Sequence, residues 1–95
     1  NPKRAIPYWQ RIYTLYRAYP ELMVEAYWES AQLFAEIDDP IAARNTVAEL
    51  LRDDRLKAYP QYALAEAELP RLEEAAQARS ALVEQKAADD KEVEL

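Results

Sequence analysis

Apolar positions recur along this chain at the period of an α-helix. Ala5, Trp9, Ile12, Tyr16 and Tyr19 follow one another at steps of four, three, four and three, which is one helical face. Met23, Tyr27, Ser30, Ala31, Phe34 and Ile37 form a similar stripe and predict a second helix from about residue 20 to 37. Ala43, Val47, Leu50 and Leu51 predict a third, from about 40 to 53. A fourth starts near Pro60 and carries Tyr62, Ala65, Leu69, Leu72 and Ala76, then Leu82 and Val83. Proline lacks the amide donor and crowds the preceding turn. Pro7 is therefore expected to weaken or bend the first helix, and Pro70 to kink the fourth or split it in two. The acidic end, AADDKEVEL from residue 87, is expected to fray, with residues 89–95 a disordered tail. No segment alternates β-branched and polar residues as a strand would.

Prolines punctuate the pattern. Asn1-Pro2 and Asp39-Pro40 each set a capping side chain before a proline at the first helical position, where the missing N–H costs nothing. The match extends from Asn1-Pro2-Lys3-Arg4-Ala5 to Asp39-Pro40-Ile41-Ala42-Ala43. A second pair, Ala18-Tyr19-Pro20 and Ala58-Tyr59-Pro60, marks two corners. The residue before proline disfavours the α conformation, and the proline itself fits the first turn of the next helix. The chain thus repeats with a period of 38 to 40 residues. Such periods mark stacked helix-turn-helix units, and connections as short as Asp38-Asp39 make neighbouring helices antiparallel. The expected organisation is a partial repeat over 1–19, a complete unit over 20–57, and a capping helix or partial repeat over 58–88.

Composition narrows the chemistry. The 95 residues include no Gly, no Cys and no His. Without Gly there is no phosphate-cradling loop, and without His and Cys the common zinc constellations are missing. No cofactor and no metal are expected. No stretch approaches the roughly 20 apolar residues that span a bilayer, so no direct membrane insertion is expected. The net charge of −6 argues against nucleic acid, whose affinity comes from cationic contacts to phosphates. That charge is uneven. Residues 1–20 carry Lys3, Arg4, Arg11 and Arg17 and no acid, whereas residues 21–95 carry 8 basic and 18 acidic side chains. The basic segment is expected to be a solvated face or one that meets an acidic neighbour. The chain opens on Asn1 rather than Met and is expected to be a piece of a longer protein.

The segment from Glu21 to Asp54 resembles a tetratricopeptide repeat. Tyr27, Ala31 and Phe34 match the large, small and aromatic positions of the repeat's first helix. Ala43, Val47 and Leu50 match the small and apolar positions of its second. Ala5, Trp9 and Ile12 fall in the same places of a preceding unit. The corner Tyr19-Pro20 followed by Ala26-Tyr27-Trp28 looks like bacterial cell-envelope members of the family, those associated with the Tol–Pal system and with outer-membrane protein assembly. Two departures stand out: Asp38 occupies a position that is usually small, and Pro70 interrupts the last helix. The resemblance implies an all-α, right-handed solenoid and a concave face made by the first helices. By position it puts Glu25, Trp28, Gln32, Ala35 and Glu36 on that face.

Trp28 lies beside Tyr27, about 100 degrees around the helix, so it points away from the core if Tyr27 faces inward. It is either an anchor for a partner or a packing residue against the neighbouring helix, around Tyr62 or Leu69. Four of the seven tyrosines lie in the first helix (Tyr8, Tyr13, Tyr16, Tyr19) and cannot all face one core. The outer ones are expected to meet another surface, such as a neighbouring repeat of the parent chain. Paired carboxylates, Glu25 with Glu29 and the group Glu66, Glu68, Glu73 and Glu74, fit wet helix faces better than acid–base work, which needs environments that split their pKa values. The sequence thus points to a non-catalytic module that binds a protein or peptide. The alternative is a structural spacer or oligomerisation element that stacks head to tail, with the basic first helix on an acidic surface.

Overall fold

A computed structural model describes residues 1–93 and contains four α-helices. They are α1 (Pro2–Leu15), α2 (Pro20–Glu36), α3 (Pro40–Arg52) and α4 (Pro60–Val93), with a short 3-10 helix, Asp54–Ala58, before α4. No strand occurs among the described residues. The fold is all-α.

Every α-helix begins on a proline, because that residue arrives with helical φ and gives up only a donor that the first turn leaves free. Asn1 Oδ1 accepts from the Lys3 amide (3.1 Å), and Asp39 Oδ1 accepts from the Ala42 amide (3.1 Å). Asp53 caps the 3-10 helix by accepting from the Arg55 amide at 3.0 Å. At the two Tyr-Pro corners, proline starts the new helix, but the old one has already ended. α1 stops at Leu15 instead of running to Tyr19, and α3 stops at Arg52. The chain needs residues 16–19 to reverse direction, and Tyr19, extended ahead of Pro20, cannot be helical (φ −120°, ψ 86°).

Helices adjacent in sequence pack on one another: α1 on α2, α2 on α3, and α3 on α4, with a smaller contact between α2 and α4. The Tyr62 hydroxyl donates to the Leu51 carbonyl (3.2 Å), while Arg79 reaches Asp38 (2.7 Å), so α3 and α4 run antiparallel. The core lies along α2 and α3: Met23, Val24, Tyr27 and Ala31 meet Ala43, Val47 and Leu50, with Leu56, Ala65 and Leu72 closing it. α1 contributes Ile6 and Tyr13, the latter stacked on Tyr27 with ring centroids 4.2 Å apart and planes 16° from parallel. Tyr13 thus takes the packing role that the spacing assigned to Tyr16 and Tyr19, both of which are exposed beyond the end of α1.

Pro70 neither splits nor ends α4, which is one helix of 34 residues. The proline is exposed, and so is Glu66, whose carbonyl loses its partner, so water can replace the missing bond. At about 1.5 Å per residue α4 is about 50 Å long, which accounts for the molecule's 54 Å longest dimension. Its buried face consists of Ala65, Leu72 and Ala76. Leu82 and Val83, expected to extend this stripe into the core, are exposed because α3 does not reach them. The expected disordered tail is instead helical as far as Val93, a continuation of α4 in which no proline or glycine interrupts the turn; the last two tail residues, 94 and 95, lie outside the described residues.

Candidate functional site

Glu25, Trp28, Gln32, Ala35 and Glu36 share one side of α2, at spacings of three, four, three and one. The structure gathers three of them into one groove. Trp28, Gln32 and Ala35 line a depression of about 240 Å³, with Ala31 and Val47 beneath and Glu68, Arg71 and Leu72 of α4 opposite. Glu25 and Glu36 are exposed on α2 but do not line this depression. Trp28 is half-buried and packs against the same core cluster as Tyr62 and Leu69. The packing reading thus holds in part, and the rest of the Trp28 side chain forms a wall of the groove.

α4 shapes this site as much as α2 does. Leu72 belongs to the buried stripe of α4 and contributes an apolar lining. Beside it, Arg71 donates through Nε to Glu68 Oε2 at 3.0 Å, a same-helix pair three residues apart. This pair is exposed and its charges cancel, so the second wall is polar without a net sign. Glu68, Arg71 and Leu72 were not legible as site residues from α2's pattern alone. Leu72's place in the apolar stripe and the i,i+3 spacing of Glu68 and Arg71 were the available signals.

Two arginines hold the corners that set the helix positions. Asp38 has φ 61°, in the left-handed region, and ends α2. The Asp39 amide donates to the Phe34 carbonyl (2.8 Å) and the Asp38 amide to the Ala35 carbonyl (3.1 Å), a Schellman closure that usually uses glycine. Arg79 compensates for the absent glycine. Its guanidinium donates to the Asp38 carbonyl (2.9 Å) and to Asp38 Oδ2 (2.7 Å), tying α4 to the α2–α3 corner. Arg55 plays the matching part at the other end, donating to the Arg17 carbonyl (2.8 Å) and to Asp53 Oδ2 (2.7 Å). Hydrogen bonding from Arg55 holds the Asp53 carboxyl below the ordinary carboxylate range, against an opposing effect of burial. Around the Tyr13–Tyr27 stack, burial raises both phenols, and the nearby Glu49 carboxylate raises them further.

Among the described residues no group of three or more acidic side chains is placed to hold a metal, and no helix is long and apolar enough to cross a membrane. Compared with known proteins, the chain matches no family model, no curated protein and no solved structure.

Proposed function

We propose that this chain is a non-catalytic protein-interaction module, a tetratricopeptide-like segment of a right-handed solenoid, whose groove between α2 and α4 receives a peptide or protein segment. The observation that carries the reading is Trp28, a large aromatic fixed by the core on one side and lining an open depression on the other. Aromatic side chains held this way are the usual energetic centres of interfaces. The solenoid reading is supported by the 38-residue internal match together with helices that pack in chain order.

Size and charge favour one kind of ligand. At about 240 Å³ the depression falls below the roughly 300–1,000 Å³ typical of small-molecule sites, and suits one apolar side chain presented by a peptide. Glu25 and Glu36 flank this region on α2, and Gln32 can bond an amide. A basic or polar segment with a central apolar residue fits best. Its association would weaken with salt, as exposed charge contacts do. The cell-envelope setting suggested by the Tyr-Pro corner and Ala26-Tyr27-Trp28 belongs to the same proposal.

The test is a peptide array with one central apolar residue and basic, neutral or acidic flanks, followed by fluorescence anisotropy on the best binders. Basic-flanked peptides should bind best, and Trp28→Ala should weaken them at least tenfold while circular dichroism stays unchanged. Equal binding of all flanks, or full affinity in the Trp28→Ala variant, would sink the reading.

A further inference from the structure

α1 and α3 occupy equivalent places in the internal repeat but have different surroundings. The 38-residue offset pairs Ala5, Tyr8, Trp9 and Ile12 with Ala43, Thr46, Val47 and Leu50. All four α3 residues are buried, because α3 lies between α2 and α4. Among helices α1 contacts α2 alone. Its Tyr8 is 60% exposed, and Ala5, Trp9 and Ile12 are only half-buried. The uncovered face also has a charge pattern. Arg4, Tyr8, Arg11 and Leu15 follow at steps of four, three and four, so bases alternate with exposed apolar side chains on one side of the helix. Leu15 is 66% exposed.

A helix laid on the uncovered face of α1 would stand where α2 stands beside α3, and α2 is a helix opened by a Tyr-Pro corner. The chain has one other such helix, α4. Its last half projects past the body of the molecule. Arg79, clamped on Asp38, marks where α3 and its corner end, and residues 80–90 are all exposed. The stripe of Leu72, Ala76 and Arg79 continues there at Val83, next to Leu82, with nothing covering either (58% and 65% exposed). The same segment carries Glu84, Asp89, Asp90 and Glu92 against two bases, Lys86 and Lys91, a net charge of −2. This half, from residue 80 to 93, is about 20 Å long, the length of the 14-residue α1.

We propose that the projecting half of α4 from a second copy of this chain docks on the outer face of α1. Leu82 and Val83 would lie against Tyr8 and Leu15, and Glu84, Asp89 and Asp90 opposite Arg4 and Arg11. The contact is heterologous, head to tail, so a bound pair still offers one free α1 and one free α4, to which further copies can add. It is independent of the groove between α2 and α4. Two helical segments of this length make a small contact, so the association is weak and its growth follows protein concentration.

Sedimentation velocity over a dilution series in low-salt buffer tests this. The weight-average mass should rise with concentration and fall back when salt is raised to about 1 M, where the screening length shrinks to about 3 Å. Two double variants separate the surfaces, one with Tyr8→Glu and Leu15→Glu, the other with Leu82→Glu and Val83→Glu. Each alone should be monomeric with its helix content unchanged. Mixed together they should form a closed pair, since each retains the surface the other has lost. If Tyr8→Glu and Leu15→Glu unfold α1, Arg4→Glu with Arg11→Glu tests the same face. A wild type that is monomeric at every concentration overturns the proposal. So does an oligomer that survives either double variant, or a mixture that fails to pair.

Discussion

Leu50 and Leu82 are the same side chain in helices of the same stack, and the structure assigns them opposite energetic roles. Leu50 is fully buried on α3, between α2 and α4, whereas Leu82 is 65% exposed on the projecting half of α4. Leu50→Ala removes buried methyl groups from a site where the surrounding helices can close the gap only in part, at a cost of about 2–5 kcal/mol. A domain of this length has a total stability of roughly 5–14 kcal/mol, so Leu50→Ala should remove at least about a seventh of it and, in a marginally stable chain, most of it. The melting temperature should fall by roughly 10–30 °C. Leu82→Ala creates no cavity and exchanges one good helix former for another, so it should change stability by less than about 0.5 kcal/mol. Urea unfolding followed by circular dichroism, in protein dilute enough to exclude association, measures both. The reasoning fails if the two substitutions cost the same, or if Leu50→Ala costs less than about 1 kcal/mol.

Other consequences can be measured on the same footing. The Tyr13–Tyr27 stack should give a coupling of about 0.5–1.5 kcal/mol in a double-mutant cycle to leucine, and a coupling near zero would mean that α1 packs elsewhere. Both phenols are raised, so their contribution to stability is present below about pH 10 and is lost as pH rises through their folded values; an alkaline melt series should show this loss shrink when both are phenylalanine. Asp53 is lowered by Arg55, so its contribution holds above about pH 4 and is lost as pH falls through the folded value. Acid titration of stability should therefore be shallower in Arg55→Ala than in wild type, and equal slopes would contradict the clamp. At the α2–α3 corner, Asp38→Ala should cost about 1 kcal/mol, because alanine resists φ 61° and loses the Arg79 bond to Oδ2, keeping only the one to the backbone carbonyl. Asp38→Gly should cost less than Asp38→Ala in the same denaturation assay, and the reverse order would mean that backbone strain is not what Asp38 bears.

Helix type and most boundaries were legible because prolines and apolar spacing agree at the starts of all four helices. The ends were less legible. α1 stops before Tyr16 because reversing the chain takes four residues, and no residue among them announces it. Pro70 misled in the other direction: its penalty is local and falls on an exposed carbonyl, so a strong helix former continues through it. The candidate face on α2 came from the family resemblance carried over by position, and helical periodicity is why those five positions share a side whatever lies opposite. What lies opposite depends on how α4 crosses α2, and that is set by distant contacts such as Arg79 on Asp38, 41 residues apart. A single stripe cannot reveal them, so Glu68, Arg71 and Leu72 emerged only from packing.

The central claim is that the groove between α2 and α4 receives a partner through Trp28. A titration of isotope-labelled protein with the best basic-flanked peptide, followed by amide and indole chemical shifts, tests it most directly. The account predicts saturable shifts at the Trp28 indole and at Gln32, Ala35, Glu68, Arg71 and Leu72, with Tyr8 and Leu15 unmoved. Shifts confined to α1, or none at peptide concentrations that saturate the anisotropy signal, would contradict it.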